Sequence, residues 1–192
     1  VSPGVNYIDE NTVTLVLHDP VVQKQFAFAI GEYSNWLPND DNYMKRTPDG
    51  QYYWITIDNL TPGKEYAYQY YLDGTIKLAD PYSEKILDPW NDGWIPGASY
   101  PNLKDYPFDS TIGIVSVFQT DQDEYDWQVE NFTPPALDET QQDLIVYELL
   151  IRDFVASQRI ADVMDSLDYL ENLGVNAIEL MPIMEFDGNN SW

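Results

Sequence analysis

No cysteine occurs anywhere in the sequence, histidine occurs once (His18), and lysine and arginine together number nine in 192 residues. Without thiols there is no disulfide framework and no thiolate metal centre. A lone imidazole cannot build a histidine-rich metal site, and no cofactor or metal is expected. No apolar run reaches the ~18–20 residues that a helix needs to cross a bilayer. The few cations face 33 acidic residues, for a formal charge of -24. A polyanion of this kind repels phosphate backbones and anionic headgroups, which excludes nucleic acid and membrane surfaces as natural partners. Neutral polymers such as polysaccharides remain open.

What is abundant is aromatic and apolar: 44% of residues are hydrophobic and 15% aromatic, so the chain can bury a core. Residues 1–104 read as all-β. Thr12–His18, Phe26–Ile30, Gln51–Ile57 and Glu65–Leu72 are short apolar or alternating runs. Turn residues separate them: Pro48-Asp49-Gly50, Thr61-Pro62-Gly63 and Asp73-Gly74. Short strands at this spacing predict a β-sandwich. Residues 105–142, broken by Pro107, Pro134 and Pro135, predict an irregular interdomain linker laid over a surface, with Ile112–Phe118 as one possible strand in it. Tyr125, Trp127 and Phe132 ask for burial there.

From residue 143 the period changes. Leu144–Ile151 is nearly continuous apolar sequence, the mark of a strand covered on both faces. Ile160, Val163, Met164, Leu167, Leu170 and Leu173 recur at helical spacing over about four turns, and Gly174 stands at the C-cap position. Val175–Ile183 is a second apolar strand. Strand, helix, strand predicts one right-handed parallel β–α–β unit across residues 143–192.

Two groups of motifs carry a resemblance. Gly31-Glu-Tyr-Ser-Asn-Trp36, Met44–Gly50, Leu60–Tyr68, Asp73-Gly74 and Ala79-Asp-Pro-Tyr82 resemble the immunoglobulin-like early-set sandwich that precedes many amylolytic barrels, the carbohydrate-binding module family 48 type. Val146–Phe154 and Leu173–Ile183 resemble the first and second strands of the (β/α)8 barrel of glycoside hydrolase family 13. The resemblance implies a retaining enzyme on starch- or glycogen-type α-glucans (α-amylase, neopullulanase or branching type) and a secreted or other extracytoplasmic place, with a cytoplasmic glycogen enzyme as the alternative. Its catalytic set implies an Asp after the fourth strand, a Glu after the fifth and an Asp after the seventh. All three would lie beyond Trp192, so the chain is expected to hold no catalytic residue and to be inactive alone. In family members a Gly-Tyr pair commonly follows the Asn-Ser-Trp seen here at residues 190–192.

Trp36 is the carbohydrate-contact candidate, because glycogen-binding members present a stacking Trp there. They also carry a Lys and a second Trp where this sequence has Gln69 and Ile76. Docking against a barrel is therefore expected of the sandwich ahead of glucan binding. Trp54, Tyr66, Tyr68 and Tyr70 lie in alternating strands, where about half are expected to face inward and the core is the default, and Trp90 and Trp94 could serve as interdomain anchors. Glu185 and Asp187 could share a strand face as a carboxylate pair, but Pro182 and Gly188 favour a solvated loop. Glu148 and Glu179, inside apolar strands, read as charges paired with a group such as Arg152. Asp121–Asp126 lacks the Gly and Glu of a calcium loop. If about eight large apolar side chains of residues 143–192 stayed wet, the loss would be on the order of 10 kcal/mol. Self-association or pairing with the remainder of a barrel is expected there.

Overall fold

The computed structural model describes residues 2–98, 100–128, 131 and 144–183. The chain divides into two compact units, Val1–Gly93 with Asn102–Tyr125, and Trp94–Pro101 with Asp126–Trp192. In chain order the strands of the first unit are β1 (Gly4–Asp9), β2 (Thr12–His18), β3 (Ala27–Gly31), β4 (Lys45–Arg46), β5 (Tyr52–Ile57), β6 (Glu65–Leu72), β7 (Ile76–Leu78), β8 (Lys85–Leu87) and β9 (Val115–Gln119). They form two antiparallel sheets, one ordered β1-β2-β5-β4 and one ordered β3-β6-β9-β8 with β7 also on β6. The fold is mainly β, as the alternating runs predict.

Alternation sets the core. Val13, Leu15 and Leu17 of β2, Tyr53, Ile55 and Ile57 of β5, and Tyr66, Tyr68, Tyr70 and Leu72 of β6 share one buried cluster. The Phe118 ring lies 5.6 Å from that of Tyr66 and 5.4 Å from that of Tyr68. Trp54 departs from the core expectation. It points to the outer face of its sheet, half-buried, with the Lys45 ammonium 4.6 Å from its ring centroid. Arg46 and Lys64 lie similarly over Tyr53 and Tyr66. The β6–β7 hairpin turns on Asp73 and Gly74, both with positive φ (51 and 72). They are the centre of a primed β-turn of the kind Asp-Gly sequences favour, closed by the Thr75 N–H on the Leu72 carbonyl at 3.1 Å, with three residues between the paired Leu72 and Ile76.

A carboxylate is built into the core. Asp80 is 3% exposed, and its Oδ2 accepts from the hydroxyls of Tyr68 at 2.7 Å and Tyr70 at 2.9 Å. Its Oδ1 accepts from the Tyr82 N–H at 2.9 Å, and its own N–H donates to the Ser116 hydroxyl at 2.7 Å. A buried charge persists only when bonded in this way. The Ala79–Tyr82 motif is thus a clamp between β6, β9 and the β7–β8 connection.

The first compact unit takes in residues 102–125, beyond the expected boundary at 104. β9 falls on the possible strand at Ile112–Phe118, within the stretch expected as linker, and pairs with both β6 and β8. Its alternation sends Phe118 into the core and Val115 and Val117 to the opposite face.

The second unit contains β10 (Val146–Leu149), three short helices, α1 (Ile151–Phe154), α2 (Ile160–Met164) and α3 (Leu167–Asn172), and β11 (Ala177–Leu180). β10 and β11 pair in parallel, with Val146 opposite Ala177 and Leu149 opposite Leu180. The single four-turn helix expected over 160–173 is broken between α2 and α3. The Ser166 hydroxyl donates to the Asp162 carbonyl at 3.0 Å, the back-bonding that bends helices at serine. Leu149, Val163 and Leu170 form the buried centre.

Asp80→Ala leaves two buried phenols without an acceptor and should lower unfolding free energy by about 3 kcal/mol, whereas Tyr70→Phe should cost about 1 kcal/mol; urea titration measures both. Burial is also the main force that pushes the phenols of Tyr33, Tyr68 and Tyr70 above their ordinary value of 10.0. Below that value these phenols are protonated in folded and unfolded chains alike, and their contribution to stability is intact. Above it only the unfolded chain ionises, so stability should fall by about 1.4 kcal/mol per pH unit for each phenol, read from urea midpoints at rising alkaline pH.

Candidate functional site

β3 ends at Gly31, where an added Cβ would lie 2.5 Å from the Ala67 carbonyl oxygen, so no other residue fits against β6. A 3-10 turn follows over Glu32–Ser34. Asn35 and Trp36 then take left-handed backbone, with φ of 52 and 61, a strained conformation for a residue as bulky as tryptophan. The Trp36 N–H donates back to the Gly31 carbonyl at 2.9 Å. The reversal lays the indole onto the outer face of the second sheet, where it is only 8% exposed. It belongs to a cluster with Ile30, Ala67, Leu87, Val115 and Val117, against which Phe28, Tyr71, Leu103 and Tyr106 pack. A stacking platform for a sugar needs an open ring face. Trp36 is covered.

The two positions that depart from glucan-binding members of the resembled family differ in environment. Ile76, at the start of β7, is exposed. Gln69, on the Trp36 face of β6, is 1% exposed and fully engaged with residues 111–114. Its Nε2 donates to the carbonyls of Ile112 at 3.0 Å and Ile114 at 2.6 Å. Its Oε1 accepts from the Thr111 hydroxyl at 2.6 Å, which in turn accepts from the Lys77 ammonium at 3.0 Å. Nothing local in the sequence announces these contacts, which join residues 34 to 45 apart.

On the outer face of the other sheet, Tyr52 stacks on His18 at 4.6 Å and 13°, two residues along β5 from Trp54, which pairs with Lys45. Trp90 stands 65% exposed on a turn organised by Asp88, whose carboxylate accepts from the Trp90 N–H at 2.8 Å and the Asn91 amide at 2.6 Å. Trp94, in the second unit, is 76% exposed. Asp121–Asp126 lies on the surface, and among the described residues no group of three potential metal ligands gathers.

In the second unit Glu148 and Glu179 stand side by side in the parallel register. Leu149 packs against α2 and α3, so strand alternation puts both carboxylates on the face away from the helices. Both are exposed. Arg152 meets Asp153 at 3.4 Å. Glu185, Asp187 and Asn190–Trp192 lie outside the described residues, as does Phe132.

No protein-family profile matches the chain. Among curated proteins it is 28% identical over 185 residues to a malto-oligosyltrehalose trehalohydrolase from Saccharolobus solfataricus, an alignment covering 96% of this chain and 26% of that protein. It is 31% identical over 126 residues to the chloroplastic isoamylase 1 of Arabidopsis thaliana, covering 62% of this chain and 14% of the isoamylase. The chain thus spans about a quarter or less of the length of these relatives. Of solved structures, a GBS pullulanase in complex with maltotetraose superposes with a TM-score of 0.62 at 18% identity, over 97% of this chain and 24% of the pullulanase. Apo pullulanase from Paenibacillus barengoltzii gives 0.60 at 18% identity, over 96% of this chain and 27% of its own. Over these residues the chain is homologous to α-glucan-active glycoside hydrolases, and its sandwich matches the N-terminal region of pullulanase-type folds.

Because Trp36 is packed rather than open, Trp36→Ala should cost about 3–5 kcal/mol of sandwich stability in urea unfolding. A platform role would instead leave the unfolding midpoint unchanged.

Proposed function

We propose that this chain belongs to a retaining enzyme of glycoside hydrolase family 13 that hydrolyses or transfers α-glucosyl units, and that it comprises an early-set sandwich followed by the first strand–helix–strand of the catalytic (β/α)8 barrel. The observation that carries this reading is the order of parts. A β-sandwich is followed by β10 and β11 in parallel register across a helical connection, over a span aligned almost whole with a trehalohydrolase and with pullulanases.

The chemistry fits that order. A barrel delivers reacting groups from the C-terminal ends of several strands to one face. Retaining cleavage needs two carboxyl groups ~5–5.5 Å apart, one nucleophilic and one with a raised pKa that protonates the leaving oxygen. In this reading those carboxylates come from strands later than β11. Glu148 and Glu179, exposed and alike in environment, are interior or rim charges of the barrel and not the acid and nucleophile. The substrate is an α-glucan of starch or glycogen type, a class supported by the maltotetraose and maltotriose in complexes of the structural neighbours.

For the sandwich the reading is docking rather than glucan capture. The covered state of Trp36 and the absence of the second Trp at Ile76 favour it. A non-catalytic glucan-binding module is the alternative, and retarded migration in starch gels that Trp36→Phe abolishes would establish it. The strong acidity and polymer substrate favour an extracytoplasmic place, and one structural neighbour is described as a glycogen-degrading pneumococcal virulence factor.

The exposed apolar side chains of β10 and β11, among them Val146, Tyr147, Ile178 and Leu180, await further barrel strands or a second copy. Purified alone, the 192-residue chain should release no reducing sugar from starch or pullulan and should self-associate with rising concentration in sedimentation. Joined to the rest of a barrel, it should release products of retained anomeric configuration, read by proton NMR. Cleavage by the isolated chain would overturn the reading.

A further inference from the structure

The outer face of the second sheet already has an occupant, and the occupant comes from the same chain. Residues 102–114 run across it as a strap within the first unit. Leu103 and Tyr106 pack on the Trp36 cluster. The Lys104 ammonium meets the Glu32 carboxylate at 3.0 Å, and the other oxygen of Glu32 accepts from the Ala67 N–H of β6 at 3.1 Å. The Tyr106 hydroxyl donates to the Gly113 carbonyl at 2.7 Å, closing the strap on itself. At its centre sits Gln69.

Three features set this apart from ordinary loop packing. First, Gln69 uses both of its donors on strap carbonyls and its acceptor on a strap hydroxyl, so nearly the whole hydrogen-bonding capacity of one buried amide is spent on one segment. Secondly, the bonds reach 42–45 residues along the chain and are made by a side chain, outside the backbone ladder of the sheet. Thirdly, the covered surface is aromatic and apolar, with Trp36, Phe28 and Tyr71 beneath or beside the strap. Exposed, such a patch would bind something.

We infer that residues 102–114 are a latched cover, that the side chain of Gln69 is the latch, and that the closed strap excludes external glucan from the Trp36 face. The latch rests on contacts within the sandwich alone, while glucan as the excluded ligand rests on the α-glucan reading proposed above. An unlatched strap uncovers Trp36 while the sheets, held by the core cluster and the Asp80 clamp on the other face of β6, stay folded.

Two substitutions of similar size test it in the intact chain. Gln69→Glu keeps the shape but at neutral pH offers no donor to the Ile112 and Ile114 carbonyls. Protonation in acid returns one. Gln69→Met removes all the bonds at every pH. Hydrogen exchange read by mass spectrometry should show amides of residues 102–114 exchanging at least about tenfold faster in both variants at neutral pH, with residues 52–57 unchanged. On acidification Gln69→Glu should return toward the wild-type rate measured at the same pH, and Gln69→Met should not. The Trp36 indole N–H resonance should move with the opening. Added maltotetraose should leave that resonance unmoved in the wild-type chain. Wild-type exchange in both variants, equal acceleration of residues 52–57, absence of the acid rescue, or a maltotetraose shift of Trp36 with the strap still protected would each overturn the inference.

Discussion

The sandwich depends on a carboxylate placed where carboxylates are rarely tolerated. Asp80 lies inside the first unit with two phenols, a backbone amide and, through its own N–H, a serine hydroxyl around it. Every other feature of the second sheet is arranged about the strand that supplies those phenols. β6 takes β3 on one side and β9 and β7 on the other. Its inner face is tied to Asp80 and its outer face to the strap. A strand bonded on both edges and clamped on both faces has no freedom to slip register, and it fixes the position of everything hung on it, Trp36 included.

Much of this was legible in the residues. Turn chemistry and alternation located β2, β5 and β6, and the change to apolar runs separated by a helical period located the second unit. What escaped was nonlocal. β9 overlaps the one apolar run legible among those prolines and acids, Ile112–Phe118, but its place in the sheet is set by partners in β6 and β8. β4, β7 and β8 are two or three residues long, too short for any periodicity. The break between α2 and α3 turns on one serine hydroxyl choosing a carbonyl four residues back.

Trp36 shows the difference most clearly. A tryptophan closing a glycine-initiated turn resembles a sugar platform in sequence. Two consecutive left-handed residues reverse the chain and roll the ring inward, and a segment some 70 residues later covers it. Neither the backbone sign nor the cover is written near Trp36. The same side chain type can serve as ligand contact or as packing. Here Asn35 and Trp36 both take left-handed backbone and the ring is packed in a buried cluster.

The cations of this chain are spent in an unusual way. Lys45, Arg46 and Lys64 lie over Trp54, Tyr53 and Tyr66, so a third of the nine positive side chains rest against rings, and the nine together face 33 acids. The surplus of negative charge is therefore left largely to mobile counterions. Where ion pairs hold a fold, brine weakens it. In this protein dissolved electrolyte chiefly shields acid from acid, and briny surroundings tighten the fold rather than loosen it.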